Sequence, residues 1–163
     1  MGEGTSQDYW TYWLQQMTVT NGAGGAGDHT YSIAGQGESV FDIIQAEITN
    51  GDTLARNLSI VVDDLTDTAL TILPASSLNA AAVARIPFLG QVFAATGNNA
   101  DLTFPYHLGR TARMLFTLAA VALSQDSTFG VLLRFKGRPP TIVSNGAATP
   151  ALVTNVDLKW VGP

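Results

Sequence analysis

About ten short stretches along this chain alternate between apolar and polar residues. This period of two is typical of β-strands. The clearest is 40–49, where Ile44, Ala46 and Ile48 alternate with polar neighbours. Turn signals such as Asn50-Gly51 separate the stretches. Each strand can therefore turn one face to a core, which predicts antiparallel sheets packed as a sandwich or barrel.

The number of strand signals narrows this choice. Roughly eight to ten strands in one domain favour a jelly roll over an immunoglobulin-like sandwich, which has fewer strands. The 163 residues suffice for one core, and the sequence shows no internal repeat and no domain boundary. We therefore predict an all-β protein, with a loose polar tail at 1–8 and a single antiparallel, jelly-roll-like β-sandwich over 9–163.

Two segments also allow a helix. Residues 76–85 begin with two Ser residues that can cap a helix, continue through three Ala residues, and end before Pro87. We predict the one short helix of the fold there. In 9–14, a helix capped by Asp8 competes with a strand, and we favour the strand because β-forming residues continue through 17–20.

Charge is scarce in this chain. Charged residues make up 13% of the sequence, about half the usual share, and the net charge is −5. So little charge suggests that partner molecules cover part of the surface. An acidic chain without Lys and Arg clusters is not expected to bind nucleic acid or an anionic membrane. Five basic residues come late in the chain, and we interpret them as strand-face or ion-pairing residues rather than one patch: Arg110, Arg113, Arg134, Lys136 and Arg138.

Cysteine is absent, so neither disulfides nor thiolate metal sites are available. The N-terminal residues lack the basic and apolar regions of a signal peptide, and no apolar run approaches the ~20 residues of a membrane helix. These features predict a soluble protein that is made in a cytoplasm.

Motifs that carry chemistry are weak. Gly22, Gly24 and Gly27 match a dinucleotide fingerprint, but residues from Asp28 onward read as a strand where the motif needs a helix. A group of Asp residues could offer oxygen ligands to Ca²⁺, but its spacing matches no EF-hand, and a solvated turn is the simpler interpretation: Asp52, Asp63, Asp64 and Asp67.

The two His residues, His29 and His107, have no partner at the spacing of metal ligands, and no Gly-x-Ser-x-Gly elbow occurs. We therefore predict no catalytic residue, no cofactor site and no metal site, and a protein that is not an enzyme.

Four aromatic residues form the most distinctive cluster: Tyr9, Trp10, Tyr12 and Trp13. Three interpretations remain open. The cluster can pack in the core, anchor the chain to a neighbouring subunit, or stack on sugar rings.

Several segments resemble bacteriophage virion proteins of the jelly-roll type, the head decoration or cement proteins. They are 41–63 with its Asn50-Gly51 turn, Thr103-Phe104-Pro105-Tyr106, and the stretch 136–140. The resemblance implies an acidic protein in the virion that forms homo-oligomers, often trimers, on the major capsid protein. It identifies no functional residue.

These observations lead to one expectation and three alternatives. We expect a structural virion protein that stabilises the phage head by burying surface against capsid subunits and its own copies, with Tyr9, Trp10, Tyr12 and Trp13 at the interface. The alternatives are a carbohydrate-binding or receptor-binding module of a phage tail, an enzyme on the same scaffold, and a secreted trimeric signalling jelly roll.

Overall fold

A computed structural model describes residues 10–21, 25–35, 40–63, 69–86, 92–93, 98–99, 106–108, 112–144 and 158–159. These residues form thirteen β-strands and no helix. The strands are β1 Thr11–Thr20, β2 Gly27–Ala34, β3 Val40–Asn50, β4 Arg56–Asp63, β5 Ala69–Leu78, β6 Val83–Ile86, β7 Val92–Phe93, β8 Asn98–Asn99, β9 Tyr106–Leu108, β10 Arg113–Val121, β11 Asp126–Lys136, β12 Thr141–Ser144 and β13 Leu158–Lys159.

The strands pair in a nested order, β1 with β11, β2 with β10, β3 with β6 and β4 with β5, and every pairing is antiparallel. The first sheet has the order β13-β1-β11-β3-β6, with β9 also paired to β3, and the second has the order β12-β2-β10-β4-β5. The first four strands thus alternate between the two sheets. This nesting is the double-sheet arrangement of a jelly roll, so the predicted fold class is confirmed.

The predicted short helix is wrong. Residues 76–78 instead extend β5 along β4, where Leu78 pairs with Arg56 and Ser77 with Asn57. A turn follows, with Ala81 at a left-handed φ of 55°, and β6 then pairs with β3. Ladder hydrogen bonds to β4 and β3 therefore outweigh the modest helix preference of an Ala-rich segment.

At the N-terminal end of the fold, residues 11–20 form β1, which confirms the extended interpretation of this segment. The predicted tail at 1–8 lies outside the described residues. Within β1 the inward positions include Trp13, Met17 and Val19, which contact the core. Met17 and Val19 alternate with Thr18 and Thr20 in the stretch 17–20 that predicted the strand.

Aromatic rings join the two sheets at the centre of the core. Phe129 of β11 stacks on Tyr31 of β2, with ring centroids 5.0 Å apart, and lies 5.0 Å from the ring of Phe116 in β10. All three side chains are fully buried. Each such ring removes a large apolar area from water, and ring pairs add about 0.5–1.5 kcal/mol beyond that burial.

Asn50 organises the crossover between β3 and β4. Its side-chain amide donates to the carbonyl oxygens of Leu54, Leu78 and Asn79 at 2.9–3.1 Å, and its Oδ1 accepts from the Asp52 N–H. The chain does not fold back as a hairpin at Asn50-Gly51, because β4 belongs to the other sheet. The predicted turn signal therefore ends β3 and starts a crossover.

Gly51 is held against the neighbouring backbone. A Cβ at this position would lie 2.7 Å from the carbonyl oxygen of Asp126, which also accepts the Gly51 N–H at 3.0 Å. We expect Gly51→Ala to lower the free energy of unfolding by roughly 1–3 kcal/mol, measured by urea denaturation. The matched control is Gly130→Ala, where the nearest atom is 3.9 Å from the added carbon. The control should be neutral or stabilise by up to about 1 kcal/mol. Equal effects of the two substitutions would contradict this account of the crossover.

Candidate functional site

The predicted aromatic cluster is divided between the two sides of the first sheet. Trp13 lies on the inner side, where its ring meets Phe135 edge-on with centroids 5.4 Å apart. Trp10 and Tyr12 lie on the outer side. Tyr9 lies outside the described residues. Core packing therefore accounts for Trp13, whereas anchoring to a neighbouring subunit and stacking on a sugar both stay predictions for Trp10 and Tyr12.

Two cations hold the Trp10 ring. The guanidinium carbon of Arg134 lies 4.5 Å from the ring centroid and the Lys136 ammonium 4.8 Å from it. Arg134 also donates from Nε to Asp42 Oδ2 at 2.7 Å, and it hydrogen-bonds Tyr12. The hydrogen bond to Asp42 raises the pKa of Arg134, so the guanidinium stays charged. This part of the outer surface is thus internally paired.

The outward residues of β1, β11, β3 and β6 form what we call the first outer face. Strand register places Leu14 beside Leu132 and Leu132 beside Gln45, and in the next row it places Gln16 beside Gly130 and Gly130 beside Glu47. Because Gly130 has no side chain, the middle of this face is a depression. The result is a groove of about 410 Å³ lined by Leu14, Gln15, Gln16, Gln45, Glu47, Gly130, Val131 and Leu132.

The second outer face consists of the outward residues of β12, β2, β10, β4 and β5. Its described central rows are uncharged, with Thr117 between Thr30 and Ser59, and with Leu115 between Ser32 and Val61. Val143 of β12 extends the second row and is about half exposed. At one end of the face Arg113 and Asp63 form a two-pronged ion pair, with Nη2–Oδ2 at 2.6 Å, and at the other end Asp28 accepts from the Ala120 N–H.

Buried polar residues join the sheets at one end of the sandwich. Ser127 Oγ lies 2.6 Å from His29 Nδ1 and 2.6 Å from the Tyr31 hydroxyl, which also donates to the Ser127 carbonyl at 2.9 Å. His29 and Tyr31 are completely buried and Ser127 is 1% exposed. A Ser–His pair enclosed in this way is inaccessible to a substrate. Its hydrogen bond links β2 to β11.

Burial sets the protonation states of this network. It lowers the pKa of His29, although Asp126, Asp28 and Asp52 act in the opposite direction. It also raises the pKa of Tyr31 to about 12, against the hydrogen bond with Ser127. At neutral pH, the imidazole is therefore uncharged and the phenol is protonated. His29 Nε2 is buried and has no hydrogen-bond partner among the described residues.

Asp52 is a structural carboxylate. Burial alone raises its pKa, but hydrogen bonds from the Ala122 N–H, the Arg56 Nε and the Leu54 N–H, with the charge of Arg56, bring the pKa to about 2. The side chain is fully buried, so its oxygens are committed to the crossover. Asp63 is likewise paired, with Arg113, and Asp64 and Asp67 lie outside the described residues.

Other candidate residues are separated by the fold. Arg113 belongs to the second sheet and Arg134 to the first, so the late basic residues do not form one patch. Arg110 lies outside the described residues. β2 begins at Gly27, so a strand follows the glycine-rich loop, as the sequence indicated. His107 lies in β9, opposite Asp42 of β3.

The groove and the polar end were not found by sequence reasoning. His29 and Ser127 are 98 residues apart, and only the nested pairing of strands brings them together. A weak signal for the groove existed, since Gly130 interrupts a strong strand at an outward position. Among the described residues, no group of three or more His, Cys, Asp or Glu residues is placed to hold a metal ion.

Comparison of the chain with protein-family models, with curated proteins and with solved structures gives no match in any of the three. A helix with the length and apolar character needed to cross a membrane does not occur in the part of the chain that the structure describes.

The division of the aromatic cluster predicts different effects of two Trp substitutions. Trp13→Ala removes a ring that packs on the core and should lower the free energy of unfolding by roughly 2–4 kcal/mol. Trp10→Ala removes a surface cation–π contact and should cost at most about 1 kcal/mol. Urea denaturation of both variants measures the difference, and a larger loss for Trp10→Ala would contradict the placement of the two rings.

The buried imidazole predicts acid sensitivity. Because folding lowers the pKa of His29 below its ordinary value of 6.5, the unfolded chain binds more protons as the pH falls below 6.5. The unfolding free energy should therefore decrease there, with a slope of at most about 1.4 kcal/mol per pH unit from this group. His29→Asn should flatten the dependence between pH 7 and pH 5, measured by urea denaturation. An unchanged slope in the variant would show that His29 is not the group responsible.

Proposed function

We propose that this protein is a structural virion protein, a capsid decoration or cement protein, that binds the major capsid protein and its own copies by burying surface. The observation that carries the proposal is the second outer face. The residues that the structure describes at its centre, on β2, β10 and β4, are uncharged. Interface centres are depleted of charge because burying an unpaired charge costs several kcal/mol. A face of this kind is therefore suited to be buried against a partner protein.

The size of the second outer face supports the same proposal. Five strands at a spacing of ~4.8 Å give a width of about 24 Å, and the nine residues of β10 give a length of about 30 Å. The footprint is then roughly 700 Å², close to the ~800 Å² that each partner contributes to a standard interface. One such face thus offers enough area for specific attachment.

The chemistry of the face also suits contact between proteins. Hydroxyl groups such as those of Thr117 and Ser59 can donate to or accept from a partner, whichever is required. Leu115 and Val61 add apolar area beside them. The low charged fraction of the chain, 13%, agrees with a surface that is partly covered in its working state.

The centre of this face predicts a charge-sensitive assembly. Leu115→Lys places a cation in the middle of the contact. Because burying an unpaired charge costs several kcal/mol and each 1.4 kcal/mol is tenfold, we expect the dissociation constant of self-association to rise at least 100-fold. Light scattering coupled to size-exclusion chromatography measures this. The control is Leu132→Lys on the first outer face, which should leave the oligomer unchanged. A wild type that stays monomeric at micromolar concentration would contradict self-association.

Attachment to a capsid has its own test. Shells are assembled from the major capsid protein encoded beside this protein's gene. On them the second outer face is covered by the shell in place of a second copy, so the wild type should co-sediment, whereas Leu115→Lys should remain in the supernatant. If capsid, portal and terminase genes do not flank the gene, or if the wild type fails to sediment with the shells, the virion assignment is wrong.

A further inference from the structure

We propose that the groove at Gly130 on the first outer face is a binding site for a neutral oligosaccharide. The inference does not depend on the virion proposal, because it concerns the opposite side of the sandwich. It rests on the shape of the groove, on the groups that line it, and on its position in the middle of a sheet.

The shape comes from one missing side chain. Gly130 lies between Gln16 of β1 and Glu47 of β3, and the residues on both sides rise above it. The groove has about 410 Å³, within the range of ~300–1,000 Å³ that small-molecule sites occupy. It is partly open to solvent, so it can accept part of a longer chain as well as a small ligand.

The lining groups match a sugar ring. Leu14, which is 43% exposed, and Leu132 beside it give an apolar surface for the C–H face of a pyranose. Gln16 and Gln45 each carry two amide donors and an acceptor oxygen, and a sugar hydroxyl is itself both donor and acceptor. Tyr12 follows on the same face of β1, about 7 Å from Leu14, where a further ring can stack.

The charge of the groove favours a neutral ligand. Glu47 is the acidic residue among the described residues that line the groove. It accepts a hydrogen bond from Arg85 Nε at 2.9 Å, so the two charges balance locally. An anionic ligand would be repelled by the Glu47 carboxylate, and a cationic ligand would be repelled by the Arg85 guanidinium beside it. A hydroxyl-rich uncharged chain avoids both penalties.

The position of the groove argues against a peptide strand. β11 is paired on one side to β1 and on the other to β3 along the whole groove, so its backbone hydrogen bonds are already made. Strand addition requires an open edge. An occupant is therefore bound through the lining groups and not by strand addition, which suits an oligosaccharide.

The test uses the whole protein and three probes, maltohexaose, cellohexaose and xylohexaose. Titration followed by ¹⁵N NMR should move the amide signals of Gly130, Leu132 and Gln45 with at least one of them. Gly130→Val should weaken binding at least tenfold by filling the groove. The added Cβ has room, since the nearest heavy atom is 3.9 Å from it, and urea denaturation of the variant checks that the fold is kept. Gln45→Ala should weaken binding by a similar factor.

The matched control is Thr117→Val on the second outer face, which should bind the hexasaccharide as the wild type does. Leu115→Lys should also bind normally, which separates this site from the assembly face. The proposal is overturned if none of the three probes moves these signals at concentrations up to about 10 mM, which corresponds to less than ~3 kcal/mol of binding. It is equally overturned if Gly130→Val binds like the wild type, or if Gly130→Val changes the oligomeric state instead of sugar binding.

Discussion

The register of β11 is the constraint on which the rest of the structure depends. This strand pairs with β1 on one side and with β3 on the other, and its alternation sends Ser127, Phe129 and Val131 inward and Thr128, Gly130 and Leu132 outward. A shift of one residue would exchange the two sets. It would remove Phe129 from between Tyr31 and Phe116, separate Ser127 from His29, and place apolar rings in the groove. Core, polar network and outer face are therefore fixed by the same hydrogen-bonded ladder.

That ladder joins segments that are far apart in the sequence, and side-chain hydrogen bonds add further links between them. Thr18 and Thr128, which are 110 residues apart, share a hydrogen bond across β1 and β11. With no Cys in the chain, side chains close the end of the sandwich: Tyr31 and His29 hold Ser127, and Asp52 holds the loop after β3 to Ala122. Each buried polar group that finds its partner here avoids a desolvation cost of about 1–3 kcal/mol. The titratable groups of the interior thus serve the fold.

The parts of the fold that could be predicted are those that local periodicity determines. Alternation identified β3, β4, β10 and β11, because each has one face on the core. It failed at residues 76–85, where the outcome depends on an open edge of β4 that a local pattern does not reveal. The segment Thr141–Ser144 was not identified as a strand, since four residues give too short a pattern. The partner of His29 depends on cross-strand register, which no local pattern contains, and the groove had only the outward Gly130 as a local signal.

The two sides of the sandwich differ in a way that bears on how the protein could work. Packed sheets lie about 10 Å apart, so the two outer faces point in opposite directions from one core. On the second outer face the described charges lie at the two ends, as the pair Arg113–Asp63 and as Asp28, whereas on the first the pair Arg85–Glu47 lies beside the groove. If the second outer face is the one that attaches to a shell, then the groove at Gly130 faces away from that shell. A single rigid core would then present a sugar-binding surface to the exterior while its other side is buried, with no conformational change required.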